Sequence, residues 1–213
     1  MTIPTIEQEI ATRDRLYKPP TKKPEIVEVP AMNFLMVDGA GDPNTSQSYA
    51  AALEALFALS YTLKFALKRG PGVDFRVAPL EGLWWSDDLD TFLAGTRDSW
   101  QWTMMVAQPS IITQEWIDRA TDEVQRKKAP PALPLIRFAR FQEGLSAQIM
   151  HVGPYATEAP TIQKLHDFIR AAGGVFDGHA HKHHEIYLGD PRRAAPEKLK
   201  TVIRQPFVRQ QVD

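Results

Sequence analysis

The clearest chemistry in the sequence lies in a short predicted strand near the C-terminus, from His183 to Leu188. Residues two apart on a strand share a face, so Glu185 and Tyr187 point one way and Ile186 points the other way. We expect the apolar face to lie under helices, which would leave Glu185 and Tyr187 on a helix-free face. A carboxylate beside a phenol could form a pocket floor. The alternative is a solvated glutamate with a tyrosine lying flat on the sheet.

Aromatic residues concentrate in the first half of the chain, where four of the five tryptophans occur close together. Trp100 and Trp102 share a strand face, whereas the adjacent Trp84 and Trp85 face opposite sides. Rings left uncovered by helices could stack on planar or cationic ligands, each contributing roughly 0.5–2 kcal/mol. The alternative is that all four rings pack inside the core.

Other catalytic motifs are weak. His179, His181 and His183 alternate as metal ligands on a strand can, but the surrounding stretch is typical of an exposed loop, and we expect no metal. The sequence has no G-x-S-x-G nucleophile elbow. The glycines around Gly39 do not complete a dinucleotide or phosphate-binding fingerprint. We therefore expect no cofactor.

Composition narrows the function classes further. The chain has 213 residues, 43% of them apolar and 24% charged, with a formal charge of -1 and no cysteine. Disulfides and cysteine nucleophiles are excluded, and no net positive charge attracts nucleic acid or anionic membranes. The apolar stretch from Tyr49 to Leu67 is interrupted by Glu54 and Lys64, and the N-terminus lacks a secretion-signal pattern. We expect a cytoplasmic protein.

The order of predicted elements indicates an internal duplication. Residues 1–24 are proline-rich towards their end and predict an extended arm. Residues 25–207 predict one domain made of two pseudo-repeats, 25–110 and 133–207, joined by a linker helix over 113–128. Each repeat has a strand, a glycine turn, a capped helix and two further strands. We expect an α+β fold with antiparallel sheets, helices on one face and a ligand cleft on the other.

Specific strings point to a known family. They are His151–Tyr155, Glu158–Ile162, His183–Arg193, Pro196–Thr201 and Pro79–Trp85. Over residues 25–207 the sequence resembles the GyrI-like small-molecule-binding family, and in particular its stand-alone members that hydrolyse cyclopropanoids. The resemblance implies paired strand-helix-strand-strand modules with a cleft for planar, hydrophobic or cationic compounds.

The same resemblance implies roles for individual residues. Glu185 matches the family's central pocket acid and would activate water for attack on a cyclopropane. Glu81 would be a supporting acid or second base. The aromatic walls would be Trp84, Trp102, Tyr155 and Tyr187.

Two other functions remain open from the sequence. One is a non-catalytic protein that sequesters drugs or binds an effector, and the other is a gyrase-interacting inhibitor. Only 24 residues precede the first predicted strand, too few for a helix-turn-helix module, so we expect no direct nucleic-acid partner. We also expect no membrane partner, and a monomer or weak homodimer.

Overall fold

The computed structural model describes residues 5–86 and 99–210. Within these ranges the chain forms four α-helices and ten strands. The helices are α1 (Ile6–Leu16), α2 (Gln47–Arg69), α3 (Gln114–Lys127) and α4 (Ala159–Ala171). The strands are β1 (Glu25–Val29), β2 (Met32–Ala40), β3 (Leu80–Trp85), β4 (Gln101–Gln108), β5 (Arg137–Phe141), β6 (Gly144–Val152), β7 (Gly174–Val175), β8 (His183–Tyr187), β9 (Lys200–Pro206) and β10 (Val208–Arg209).

Eight strands form one antiparallel sheet in the order β1-β6-β9-β8-β3-β4-β2-β5. The strands of the first half, β1-β2-β3-β4, correspond one by one to those of the second half, β5-β6-β8-β9. Corresponding strands lie at mirrored places in the order, so the two halves occupy equivalent positions about the central β3–β8 pair. One long helix follows the second strand of each series, α2 after β2 and α4 after β6. The predicted α+β fold of duplicated strand-helix-strand-strand modules is confirmed.

The sheet curls into a half-barrel because two short connections join strands that lie near its opposite ends. A two-residue connection at 30–31 joins β1 to β2, and another at 142–143 joins β5 to β6. Such short connections are compatible with this strand order only if the ends of the sheet approach each other. The sheet therefore has an inner, concave face, which carries His184 and Ile186, and an outer face, which carries Glu185 and Tyr187.

The two long helices cover the sides of the outer face. Helix α2 packs on β2 and β4, and α4 packs on β6 and β9, which leaves β3 and β8 between them. Helix α2 is long and apolar enough to cross a membrane by length and composition. Here it is a core helix whose buried stripe packs against the sheet and contains Leu56, Leu59, Leu63 and Leu67.

The N-terminal segment differs from the sequence prediction. Residues 6–16 form helix α1 and are not extended, so that part of the predicted arm is wrong. A reciprocal capping box between Thr5 and Gln8 starts the helix. Leu16 and Tyr17 then pack with Ile186 on the inner face of the half-barrel. The proline-rich composition of the following residues obscured this capping signal.

Candidate functional site

Glu185 lies in the middle of β8, on the floor of a cleft between α2 and α4. It pairs with Gly82 of β3, and the next pair on the same face joins His183 to Trp84. The ring of Tyr49, in the first turn of α2, lies 6.2 Å from that of Trp84. Glu185 therefore shares its face with the long helices, and its side chain is 16% exposed.

The expectation that Glu185 lies on a helix-free face is wrong. The alternation of β8 separated Glu185 from Ile186 correctly, but it did not tell which face the long helices cover. Ile186 is fully buried on the inner face, where Leu16 and Tyr17 pack against it. Both faces of the curled sheet are covered. The apolar character of the Ile186 face therefore did not show that α2 or α4 packs on that face.

A chain of hydrogen bonds orients the Glu185 carboxylate. The Tyr187 hydroxyl donates to Glu185 Oε2 over 2.8 Å and accepts from Trp84 Nε1 over 2.9 Å. His183 Nε2 lies 3.2 Å from Glu185 Oε1. Both carboxylate oxygens thus have a partner on β8. Trp84, on the neighbouring strand β3, in turn donates a hydrogen bond to one of these partners, the Tyr187 hydroxyl.

Aromatic rings form the sides of the cleft. Tyr155, in the short 3₁₀ turn after β6, is 38% exposed and packs edge-on against Tyr187 with ring centroids 5.6 Å apart. Trp84 packs edge-on against Trp100 at 5.6 Å. The predicted walls Tyr155 and Tyr187 therefore meet beside Glu185, whereas Trp84 is only 4% exposed and reaches this group through its hydrogen bond to the Tyr187 hydroxyl.

Trp102 has a different position from the one expected for a wall. Its ring is fully buried, with Tyr49 edge-on against it at a centroid distance of 5.4 Å. A Cβ atom on Gly39 would lie 2.2 Å from this indole, so the absent side chain makes room for it. Trp102 supports Tyr49, and Tyr49 is the cleft residue that the sequence analysis missed.

A second carboxylate, that of Glu158, also belongs to the cleft. Glu158 immediately precedes α4, and only 4% of the residue is exposed. Its Oε1 atom is buried without a hydrogen-bond partner. Burial and the negative charge of Glu185 raise the pKa of Glu158 to about 8, so it is largely protonated at neutral pH. The sequence analysis named this residue only within the family string Glu158–Ile162 and gave it no role.

The phenols of the cleft remain neutral at physiological pH. Burial, followed by the charge of Glu185, raises the pKa of Tyr187 well above its ordinary value. Burial and the charges of Glu158 and Glu185 raise the pKa of Tyr155 to about 12. The pKa of Tyr49 is raised by burial and by Glu185 in the same way. These hydroxyl groups are consequently available as hydrogen-bond donors.

Glu81 does not reach the cleft, so its predicted ligand-binding role is wrong. The residue after it, Gly82, is the one opposite Glu185, and Glu81 therefore points to the inner face. It is completely buried, accepts a hydrogen bond from the Tyr17 hydroxyl, and has its Oε2 atom 3.1 Å from His184 Nε2. Alternation along β3 already indicated this, because Glu81 and the predicted wall residue Trp84 are three positions apart and face opposite sides of the strand.

The inner face holds a buried charge network around His184. Its Nδ1 atom lies 2.9 Å from Glu143 Oε1, and Arg204 Nη1 donates to Glu143 Oε2 over 2.9 Å. Burial would lower the pKa of His184, but the charges of Glu143 and Glu81 outweigh it and raise the value to about 9. Burial would raise the pKa of Glu143, but the positive charges of His184 and Arg204 outweigh it and lower the value to about 2. This network joins α1, the β5–β6 turn and the central strands.

The described residues, 5–86 and 99–210, contain no group of three or more histidine and acidic side chains placed to hold a metal ion. Of the alternating histidines, His181 has its Nδ1 atom 3.3 Å from Asp177, and His183 faces Glu185. The third, His179, lies in the exposed loop before β8. The histidines thus have separate environments.

Known structures share this architecture. A crystal structure of an uncharacterised conserved protein from Listeria innocua is 40% identical, with a TM-score of 0.84, covering 93% of this chain and 98% of that one. A structure described as that of a hydrolase from Listeria innocua is 39% identical, with a TM-score of 0.80 and the same coverage. The C-terminal domain of EcmrR shares the fold at 10% identity, with a TM-score of 0.53, covering 88% of this chain and 98% of that one.

No curated protein matches the sequence. The model of the GyrI-like small-molecule-binding domain matches residues 22–207, which include the cleft, both long helices and the eight-stranded sheet. The chain belongs to the family of GyrI-like small-molecule-binding domains.

Proposed function

We propose that the protein is a hydrolase that binds planar, hydrophobic or cationic molecules over Glu185 and opens the cyclopropane ring of cyclopropanoids. The observation that carries the proposal is the setting of Glu185. A partly exposed carboxylate is held by Tyr187 and His183 at the bottom of an aromatic cleft. The Listeria innocua relative described as a hydrolase, at 39% identity over 93% of this chain, supports a catalytic function.

Binding in this cleft combines stacking with charge. Tyr155 offers an exposed ring beside Glu185, with Tyr187 edge-on to it, and a flat ligand against these rings would gain roughly 0.5–1.5 kcal/mol per ring contact beyond burial. The Glu185 carboxylate and the aromatic faces both attract a cationic centre. This environment favours aromatic cations and neutral fused-ring compounds over anions.

The proposed reaction adds one water molecule across a strained carbon–carbon bond. Glu185 takes a proton from water as the water oxygen bonds to the cyclopropane methylene. The bond from that methylene to the dienone ring breaks, and its electron pair makes the ring an aromatic phenolate. Glu158, which is largely protonated at neutral pH, donates a proton to the phenolate oxygen. Proton exchange with solvent resets both carboxyl groups, and the product is a primary alcohol on a phenol.

The Glu185→Gln variant tests this assignment. Wild type incubated with a cyclopropanoid is expected to convert it into a product heavier by one water, detected by mass spectrometry. The amide cannot act as a general base, so the rate should fall roughly 10²- to 10⁴-fold. Glu54→Gln, an exposed change on α2, is the matched control and should keep wild-type activity. Full activity in the Glu185 variant would refute the assignment.

A binding measurement on the same proteins distinguishes hydrolysis from sequestration. If wild type binds the cyclopropanoid and returns it unchanged, the hydrolase proposal fails and a sequestering function replaces it. If Glu185→Gln binds the cyclopropanoid with wild-type affinity but hydrolyses it far more slowly, the result supports a catalytic role of Glu185. We further propose that this detoxifying activity operates in the cytoplasm, where DNA-alkylating compounds reach their target.

A further inference from the structure

The mouth of the half-barrel contains a cavity of about 380 Å³ on the inner face of the sheet. Small-molecule sites typically have volumes of roughly 300–1,000 Å³. Leu83 and Thr103 line the cavity, and they are paired neighbours on the face opposite to Gly82 and Glu185. The cavity is therefore separated from the cleft by the thickness of the sheet.

Two cationic side chains line this cavity, and both can still bind an anion: Lys182 has no ion pair within the described residues, and Arg137 is paired with Asp38 but keeps its Nη1 group. Lys182 has its Nζ atom 3.4 Å from the centre of the Trp85 ring, and no carboxylate of the described chain lies within ion-pair distance of it. Arg137 donates two hydrogen bonds to the Asp38 carboxylate, from Nε over 3.2 Å and from Nη2 over 2.8 Å. Its remaining Nη1 group contacts only a thioether sulfur, which is a weak acceptor.

The carboxylate that lines the cavity does not neutralise these cations. Both oxygens of Glu143 are occupied, one by His184 and one by Arg204, and the side chain is almost completely buried. Among the described residues, Asp38 balances one of the charges of Arg137 and Lys182, which leaves one positive charge in excess at the cavity. Burial, together with the charge of Arg137, lowers the pKa of Lys182, although Asp38 opposes this shift.

The rest of the lining is mixed. Phe141 of β5, Leu83 of β3 and Pro206 of β9 present hydrocarbon surface, whereas the other lining residues include polar ones, namely Thr103, Gln142, His179 and His181. A ligand that matches this cavity needs an anionic head for the two cations and a flat hydrocarbon body for the apolar part of the wall.

We propose that this cavity is a second binding site, specific for small organic carboxylates with an aromatic or similarly flat apolar body. The carboxylate lies between Lys182 and the Nη1 group of Arg137, and the body packs against Leu83, Phe141 and Pro206. The site selects the opposite charge from the cleft, where Glu185 favours cations. The two sites share β3 but use opposite faces of this strand.

Titration calorimetry with 2-naphthoate tests the proposal. Wild type is expected to bind one naphthoate per chain, and to bind the neutral isostere 2-naphthamide at least tenfold more weakly. Lys182→Met keeps the length of the side chain but removes its charge, so it should lower naphthoate affinity at least tenfold, because the charge-assisted hydrogen bond to the carboxylate is lost. Lys198→Met, at an exposed position in a 3₁₀ turn, should bind as wild type does.

Amide chemical shifts locate the bound probe. Naphthoate is expected to shift the resonances of Leu83 and Thr103 in wild type and to leave those of Tyr155 and Glu158 unchanged. The Glu185→Gln variant should bind naphthoate with wild-type affinity, which separates this site from the cleft and from the proposed hydrolysis. Absence of naphthoate binding, equal binding by Lys182→Met, or shifts confined to the cleft would each overturn the proposal.

Discussion

The Tyr187 hydroxyl lies between Trp84 and Glu185, accepting a hydrogen bond from the indole and donating one to the carboxylate. The three groups come from the two central strands, β3 and β8, which belong to different halves of the duplicated fold. The orientation of the carboxylate consequently depends on the interface between the halves. The cleft exists because α2 and α4 cover only the flanking strands.

Tyr187→Phe tests the value of this orientation. The variant keeps the ring that packs against Tyr155 but removes both hydrogen bonds. We expect ligand affinity to change little and kcat/KM for cyclopropanoid hydrolysis to fall roughly 10- to 100-fold, because a hydrogen bond to a charged group contributes about 1.5–3 kcal/mol. Tyr61→Phe, exposed on α2, is the control. Unchanged kcat/KM in Tyr187→Phe would contradict the proposed orienting role.

The pKa of Glu158, about 8, predicts how the cleft responds to pH. As pH rises through 8, Glu158 loses its proton, so hydrolysis that uses it as an acid should slow. Affinity for an unreactive aromatic cation should increase over the same range, because the cleft gains a negative charge. In Glu158→Gln the alkaline decline in rate and the rise in affinity should both disappear. Exposed Glu197→Gln should retain both; identical profiles for the two variants would refute the role of Glu158.

Breaking the inner-face network should destabilise the fold without altering the cleft directly. Glu143→Gln leaves Arg204 and His184 buried without their carboxylate, which should cost about 3–5 kcal/mol in the free energy of unfolding measured with urea. Exposed Glu115→Gln on α3 should change it by less than about 0.5 kcal/mol. A loss of the same small size in Glu143→Gln would contradict the importance of the network.

The same network predicts a pH dependence of stability. The pKa of His184 is raised to about 9, so its contribution is complete below its unfolded value of 6.5 and is lost as pH rises towards 9. The pKa of Glu143 is lowered to about 2, so its contribution is present above 4.5 and is lost as pH falls towards 2. The difference in unfolding free energy between wild type and Glu143→Gln should therefore be largest near pH 5–6. A pH-independent difference would refute this prediction.

Gly82→Ala tests the space beneath the indole of the cleft. A Cβ atom at this position would lie 2.7 Å from Trp84 Nε1 and 2.5 Å from Met104 Cε. Trp84 must then move away from Tyr187, so we expect at least a tenfold loss of affinity for an aromatic cation. The intrinsic fluorescence of the tryptophans should change with it. The exposed Ala129→Gly change is a control that keeps the cleft intact. Normal affinity in Gly82→Ala would show that the indole position is not required.

Strand alternation in the sequence was sufficient to separate Glu185 and Tyr187 from Ile186, and the order of elements was sufficient for the duplicated α+β fold. Neither the alternation nor the order of elements was sufficient to choose the face that α2 and α4 cover. The other face is buried as well, by the curling of the sheet and by α1. The misplaced Glu81 had a different cause, since the family resemblance assigned it to the cleft together with Trp84 although alternation along β3 puts the two residues on opposite faces.

The residues that were missed have a common cause. Tyr49 and Glu158 lie in the cleft because the N-terminal ends of α2 and α4 are placed there by packing on the sheet. From the sequence, Tyr49 is only the start of an apolar stretch and Glu158 only part of a family string, and neither pattern indicates a position in the cleft. Trp102, in contrast, lies on a predicted strand as a wall residue should. Its ring is nevertheless buried beneath Tyr49, in the space that the missing side chain of Gly39 leaves.

A crystal structure of the protein soaked with a planar aromatic cation tests the central claim most directly. The ligand is expected between α2 and α4, with its ring against Trp84 and Tyr155 and its cationic centre nearest to the Glu185 carboxylate. A ligand bound only elsewhere, with the rings around Glu185 closed over an empty cleft, would contradict the account.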